Sequence, residues 1–284
     1  MPLPTHFILN TGELIPAVGF GTWQAKPGEV ERAVETALKA GYRHIDCAAI
    51  YRNEAEVGEG IPNNEDVQSA LEKLLQDLGV GYLDLFLMHW PVWRLRPRGY
   101  RPGYHLKAVE KLHSTGKVRA IGVFNFTTKR LEDLLFKIDA VPAVNQVEAY
   151  FYLQQPALFD FCKSKGILIE AYSPLGNNQT GEPRTVDDEL VGVLGCRPGM
   201  DGNQLLTSWG IQRGTVVLPK SITPNRIKSN VQVKELPKDA FEELNALERH
   251  KRFNTQSRWG FDIFDDVREE KIKKLHKALL KKIG

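Results

Sequence analysis

AIGVFNFTTKRLEDLLFKIDAVPAVNQVE, residues 120–148, decides the fold: a short apolar strand (120–126), a helical run (128–137) and a second short strand (144–148) follow in turn. Strands joined through a helix are parallel neighbours, since antiparallel ones need only a tight turn. The same alternation extends both ways along the chain. Upstream strand candidates are AVGFGT (17–22), RHIDCA (43–48) and LDLFLMHW (83–90), and downstream ones are ILIEAY (167–172) and TVVLPKS (215–221). Helical patterns occupy 28–40, 65–79, 106–114, 156–165 and 202–212. The whole reads as α/β with a parallel sheet.

The opening HFILNTGELIPAVGFG holds a Thr-Gly turn between two apolar runs and reads as a hairpin capping the bottom of a barrel. Seven parallel strands are countable where a (β/α)8 barrel needs eight. The shortfall lies in YRNEAEVGEGIPNNEDVQSALEKLL (51–75), where a short helix over 53–60 meets the next helix near Asn64 with only Ile61-Pro62-Asn63 between. The expectation is a TIM (β/α)8-type barrel with an N-terminal β-hairpin and one strand deleted. Such a barrel is either opened or has strand three replaced by 57–64.

With 284 residues, one barrel domain over 1–284 is allowed. Hydrophobic content of 42% and charged content of 26% match globular proteins and exclude disorder. No targeting segment or long apolar run is present, and a net charge of +3 does not point to nucleic acid. Cys47, Cys162 and Cys196 are odd in number and widely spaced, which fits free thiols in a reducing, cytoplasmic setting. The terminal lysines 271, 273, 274, 277, 281 and 282 read as the solvated face of an amphipathic helix.

In a barrel of this kind, reactive groups sit at the C-terminal ends of the strands. There the sequence places Asp46 with Tyr51 five residues on, His89-Trp90, and Asn145-Gln146. GYRHIDCAAIYRNEAEVG (41–58), LMHWP (87–91) and LPKSITPNRIKSN (218–230), in that order, resemble the motifs of the aldo-keto reductase family. The resemblance runs from GFGTW (19–23) to RWGFDIF (258–264), and HWPV with RWGFDIF is most similar to its fungal and yeast-like, NADP-dependent branch. That branch acts on sugar-derived, glycerol-type and secondary-metabolite carbonyls.

The resemblance implies NADPH-dependent reduction of an aldehyde or ketone. Tyr51 would be the general acid, His89 would orient the carbonyl oxygen, and Asp46 would hold a lysine that lowers the tyrosine pKa. It further implies that Lys220, Ser221, Thr223, Arg226 and Asn230 grip the adenosine 2′-phosphate and adenine. Tyr172 would stack under the nicotinamide, Ser173 and Leu175 would line the pyrophosphate loop, and Asn125 with Gln146 would hold the carboxamide. Thr22 and Trp23 fit the first loop over the site, with Trp23 and Trp90 toward the substrate and Phe126 a further pocket aromatic. A monomer acting on a small-molecule carbonyl, with no metal, membrane or nucleic-acid partner, is the family pattern.

Two departures stand out. The family's Lys-Leu-Trp stretch and its strand are absent, and no other lysine replaces it: Lys220 matches a phosphate position, while Lys107 and Lys111 lie on a helical pattern. The family's Ser-Asn-Phe reads Phe124-Asn125-Phe126, which removes a hydroxyl. The alternatives to an active reductase are a relative that binds NADP(H) or a ligand without efficient reduction, or a product of exon loss.

Overall fold

A computed structural model describes residues 2–23, 29–48, 71–72, 74–76, 78–88, 110–177, 183–254 and 264. Five parallel strands form its main sheet: β5 (Leu83–Met88), β6 (Val118–Phe124), β7 (Val144–Glu148), β8 (Leu168–Tyr172) and β9 (Val216–Leu218), hydrogen-bonded in sequence order. The two-residue strands β3 (Phe20–Gly21) and β4 (Ile45–Asp46) pair in parallel. They join the far edge of that sheet, since Val18 bridges Val217 and the Gly19 and Gly21 amides donate to the carbonyls of Val217 and Pro219 (2.9 and 3.2 Å). All seven strand candidates are therefore strands, parallel, in the spatial order β5-β6-β7-β8-β9-β3-β4. No pairing joins β4 to β5 among the described residues. The expected loss of a strand falls at 49–70, which lies outside them.

β1 (His6–Ile8) and β2 (Leu14–Pro16) are the antiparallel hairpin. Its turn closes where the Gly12 amide donates to the Leu9 carbonyl (2.9 Å) at φ +85°, a left-handed conformation that suits glycine. Leu9 and Ile15 pack against Ala120, Ala143, Val144 and Val216, near the starts of β6, β7 and β9. The Asn10 amide also donates to the Val141 and Pro142 carbonyls (3.2 and 3.1 Å). The hairpin thus covers the N-terminal end of the sheet and leaves the other end for chemistry.

Helices Glu29–Lys39, Thr128–Leu135, Pro156–Ser164 and Gly202–Gln212 match the sequence patterns. They bury Ala33, Ala37, Leu131, Leu134, Leu158, Cys162 and Ile211 in one core with Val123, Val147, Ile169 and Val217 from the strands. Phe126 belongs to this core, a packing aromatic between sheet and helices rather than a pocket wall. Three helices were not legible: Glu189–Cys196, Pro224–Asn230 and Lys238–Asn245. The first contains Gly192 and Gly195, which dilute its helical pattern. It starts because the Asp188 side chain accepts from the Leu190 amide (3.0 Å). The other two begin at or just after prolines, Pro224 and Pro237, which read as turns in a sequence.

Glycine at 122 is forced by packing. A Cβ there would sit 2.5 Å from Leu87 Cδ2 and 2.8 Å from the Val144 carbonyl oxygen, whereas one at Gly192 would meet nothing within 4 Å. Gly122→Ala therefore lowers stability by about 1–3 kcal/mol, and Gly192→Ala, on the exposed face of its helix, raises it by about 0.5–1 kcal/mol. Urea midpoints moving in opposite directions check the pair.

Candidate functional site

Because the strands are parallel, their C-terminal ends share one rim. It carries Asp46 from β4, Phe124 and Asn125 from β6, Gln146 and Glu148 from β7, Tyr172 and Ser173 from β8, and Lys220 and Ser221 after β9. Two rim residues sit in the left-handed region without being glycine: Asn125 at φ +60° and Ser173 at φ +50°. Such conformations each cost about 1–3 kcal/mol and persist where surrounding bonds fix them.

At Asn125 those bonds are visible. Its amide donates to the Gln146 carbonyl (2.8 Å), and its Oδ1 accepts from the Tyr172 hydroxyl (3.2 Å). The next residue is clamped by buried Asn145, whose side chain donates to the Phe126 carbonyl (2.9 Å) and accepts from the Phe126 amide (3.3 Å). Asn125 is fully buried, yet its Nδ2 has no hydrogen-bond partner. An unpaired buried donor costs about 1–3 kcal/mol. Phe124 lies face to face with Tyr172, ring centroids 4.9 Å apart and planes 10° from parallel. Burial pushes the Tyr172 phenol well above the usual tyrosine range.

Beneath the rim a polar chain crosses the interior. Gln146 Nε2 donates to Glu170 Oε2 (2.8 Å) and to Asp46 Oδ1 (3.2 Å). His44 Nε2 lies 3.3 Å from Glu170 Oε1. Glu170 is completely buried, and burial pushes its carboxyl from 4.5 up to about 7, opposed by the Gln146 hydrogen bond. Burial likewise lowers the His44 pKa and keeps the ring neutral, the Asp46 charge acting against it. Glu148, also buried, accepts from the Phe253 and Asn254 amides (3.0 and 2.9 Å) and ties the segment 253–254 to the rim. Its pKa is raised by burial against those bonds.

The phosphate set is contiguous after β9. Lys220 is half-buried, and burial lowers its pKa with Glu29 opposing. Ser221 Oγ accepts from the Thr223 amide (3.1 Å), Arg226 is exposed, and buried Asn230 has an unpartnered Oδ1. Thr22, on the β3 side, sends its hydroxyl to the Asp46 carbonyl (2.8 Å), and Trp23 beside it is half-buried. Leu175 is buried, with its carbonyl accepting from the Val186 amide (3.2 Å). Tyr51, His89 and Trp90 lie outside the described residues. Lys111 is exposed on the helical residues 110–113, away from the rim.

The site thus holds an unpartnered amide donor at Asn125 on the rim, half-buried Lys220 just after β9, and an unpartnered carbonyl oxygen at Asn230, which ends the helix Pro224–Asn230. The sequence pattern described as "Aldo/keto reductase family" matches residues 17–70 and 63–249. The chain belongs to the aldo/keto reductase family. A D/L-glyceraldehyde reductase of Hypocrea jecorina is 38% identical over 331 residues, covering 96% of this chain and 97% of its own. An aldo/keto reductase of Synechocystis sp. (strain ATCC 27184 / PCC 6803 / Kazusa) is 39% identical, covering 89% of this chain and 92% of its own. A glycerol 2-dehydrogenase (NADP(+)) of Saccharomyces cerevisiae (strain ATCC 204508 / S288c) is 39% identical, covering 86% and 90%. Membership places the chain among oxidoreductases. The first of these alignments spans more positions than the 284 residues here, so that relative carries residues this chain lacks.

Sequence reasoning passed over Glu170, His44 and Glu148. The signal was available: a glutamate inside the apolar run ILIEAY, and another closing VNQVE, sit where inward-facing residues are apolar by default. A carboxyl whose folded pKa exceeds its ordinary value favours folding only while protonated, so its contribution falls as pH rises from about 5 to about 8. For Glu170 the fall is about 3 kcal/mol. His44, with its lowered pKa, works in the opposite sense, so the measurement is a difference between proteins. Glu170→Gln gains about 3 kcal/mol relative to the unchanged chain between pH 5 and pH 8, read by urea unfolding at both.

Proposed function

We propose that this chain reduces an aldehyde or ketone to the alcohol with NADPH, as a cytoplasmic, monomeric, single-domain enzyme acting on a small-molecule carbonyl. The observation that carries the reading is Asn125: held left-handed and buried, it presents an unpartnered amide donor on the same rim as Lys220. The cofactor, when bound, supplies the hydride. Asn125 Nδ2 would hold its carboxamide and Tyr172 would pack against its ring, while Ser173 and Leu175 would hold its pyrophosphate. Lys220 and Arg226 provide the positive charge that a 2′-phosphate requires, with Ser221, Thr223 and Asn230 as hydrogen-bonding partners. Tyr51 donates the proton to the carbonyl oxygen, His89 orients that oxygen, and Asp46 tunes the acid, while Trp23 and Trp90 flank the substrate. The names of the fungal and yeast relatives support a polyol-type or glyceraldehyde-like carbonyl.

A second reading has its own observation. Phe124 covers one face of Tyr172, and Gln146 already spends its amide nitrogen on Asp46 and Glu170. A chain in this state retains NADP(H) on the phosphate side but turns over slowly. The residues that its relative carries and this chain lacks point the same way, whether the shortening is natural or the result of exon loss.

Tryptophan fluorescence quenching separates the possibilities. NADPH binds at least tenfold more tightly than NADH, and Lys220→Ala removes that preference while leaving NADH affinity unchanged. Equal affinities, or no quenching by either, overturn the cofactor reading. Tyr51→Phe binds NADPH normally and loses roughly 100-fold or more in turnover of a generic reactive aldehyde. Phe124→Ser raises turnover if the second reading holds and leaves it unchanged or lower if the first does.

A further inference from the structure

The turn that leads into β4 carries a tyrosine that no step of the proposed chemistry uses. Tyr42 is buried, and its ring meets Phe20 of β3 edge-on, with centroids 5.6 Å apart and planes at 73°. Its hydroxyl donates to the Ile227 carbonyl (3.1 Å), across 185 positions of sequence. Ile227 lies in the helix Pro224–Asn230 and follows Arg226 directly. We propose that Tyr42 is a positioning residue for phosphate recognition: its buried hydroxyl holds the Ile227 carbonyl and so fixes the direction in which Arg226 is presented to the ligand.

That helix needs a hold from outside itself. Helices shorter than about 12–15 residues are marginal in water on their own, and this one has 7. The last carbonyls of any helix also lack intrahelical amides. Here the Val231 amide, which would reach Ile227 if the helix continued, turns to the Ser229 carbonyl. The Ile227 carbonyl is therefore an acceptor in need of a donor within the core, and the Tyr42 phenol supplies one.

Tyr42 is itself fixed at both ends of its backbone. Its amide donates to the Ala37 carbonyl (3.0 Å), and its carbonyl accepts from Arg43 Nη1 (2.7 Å). Burial pushes the phenol above the usual tyrosine range, so it stays protonated and keeps its hydrogen for Ile227. The Ile227 side chain packs in the same core as Phe20, Ala33, Ala37 and Tyr42, so side chain and carbonyl are both held. Successive helical residues point about 100° apart, and holding Ile227 therefore sets the face on which exposed Arg226 stands. A second side-chain hold on the helix, from the Ser229 hydroxyl to Asp201 Oδ2 (2.6 Å), is exposed, where water competes for both groups. The ligand side of this inference rests on the phosphate role given above to Lys220 and Arg226, whereas the tether itself does not.

Calorimetric titration with adenosine 2′,5′-bisphosphate reads the phosphate grip without nicotinamide or turnover. Tyr42→Phe keeps the ring against Phe20 and removes only the donor, and it weakens bisphosphate binding roughly three- to tenfold. In the Arg226→Ala background, where Lys220 still meets the ligand, the same change has no further effect, because the group being positioned is gone. An equal loss in both backgrounds is the mark of a merely structural role and overturns the proposal, as does no loss in either. No binding by the unchanged chain overturns the phosphate role and this proposal with it. Binding of the bisphosphate but not of NADPH overturns the cofactor reading alone and leaves the comparison of variants to decide the role of Tyr42. Hydrogen exchange on the unchanged, ligand-free chain applies even if Tyr42→Phe does not fold. Amides 227–230 are expected to exchange slowly, and exchange as fast as in an exposed loop overturns the proposal.

Discussion

Everything reactive in this chain depends on the parallel hydrogen-bonded ladder from β5 to β9. Parallel strands point their C-terminal ends the same way, so residues far apart in sequence collect on one rim: Asn125, Glu148, Tyr172 and Lys220 all sit at or just beyond the last bonds of their strands. The opposite end is closed by the N-terminal hairpin, whose Leu9 and Ile15 fill the space against Ala120, Val144 and Val216. A slip of one residue in any strand would turn its rim side chain out toward the helices. Gly122, where even a methyl group would strike Leu87 and the Val144 carbonyl, shows how tightly that register is held.

Above the apolar lower layer the interior changes character. Gln146, Glu148 and Glu170 are buried there beside half-buried His44 and Asp46, and burying carboxyls is expensive unless each finds a donor. Glu148 finds two backbone amides, Glu170 finds Gln146, and Asp46 shares that same amide. Among the described residues, Glu170 Oε1 and His44 Nδ1 in this layer stay unpartnered, as do Asn125 Nδ2 and Asn230 Oδ1.

The strands were legible because short apolar runs alternated with helical ones, and each expected strand from 17–22 to 215–221 overlaps an observed one. Helices that begin at proline or carry glycine were not, since their starts rest on caps and tertiary packing rather than on periodicity. At the site, motif order pointed to the stretch from Lys220 to Asn230 and to Asn125 and Tyr172. What a motif could not convey was the direction of side chains across the interior. Gln146, matched to a carboxamide position by resemblance, donates to Asp46 and Glu170, and Phe124, known only as a lost hydroxyl, lies flat on Tyr172. Those outcomes follow from which neighbours share an inward-facing layer, and a single sequence does not contain that information.

The chain is thus an aldo/keto reductase family member in which the Gln146 amide donates both to buried Glu170 and to half-buried Asp46. Transfer of deuterium from NADPH labelled at both C4 positions to a generic aldehyde tests the central claim most directly, with the alcohol read by mass spectrometry. The account predicts one deuterium on the carbinol carbon, formed faster than in a protein-free control. Unlabelled alcohol, or no alcohol above the control, would contradict it.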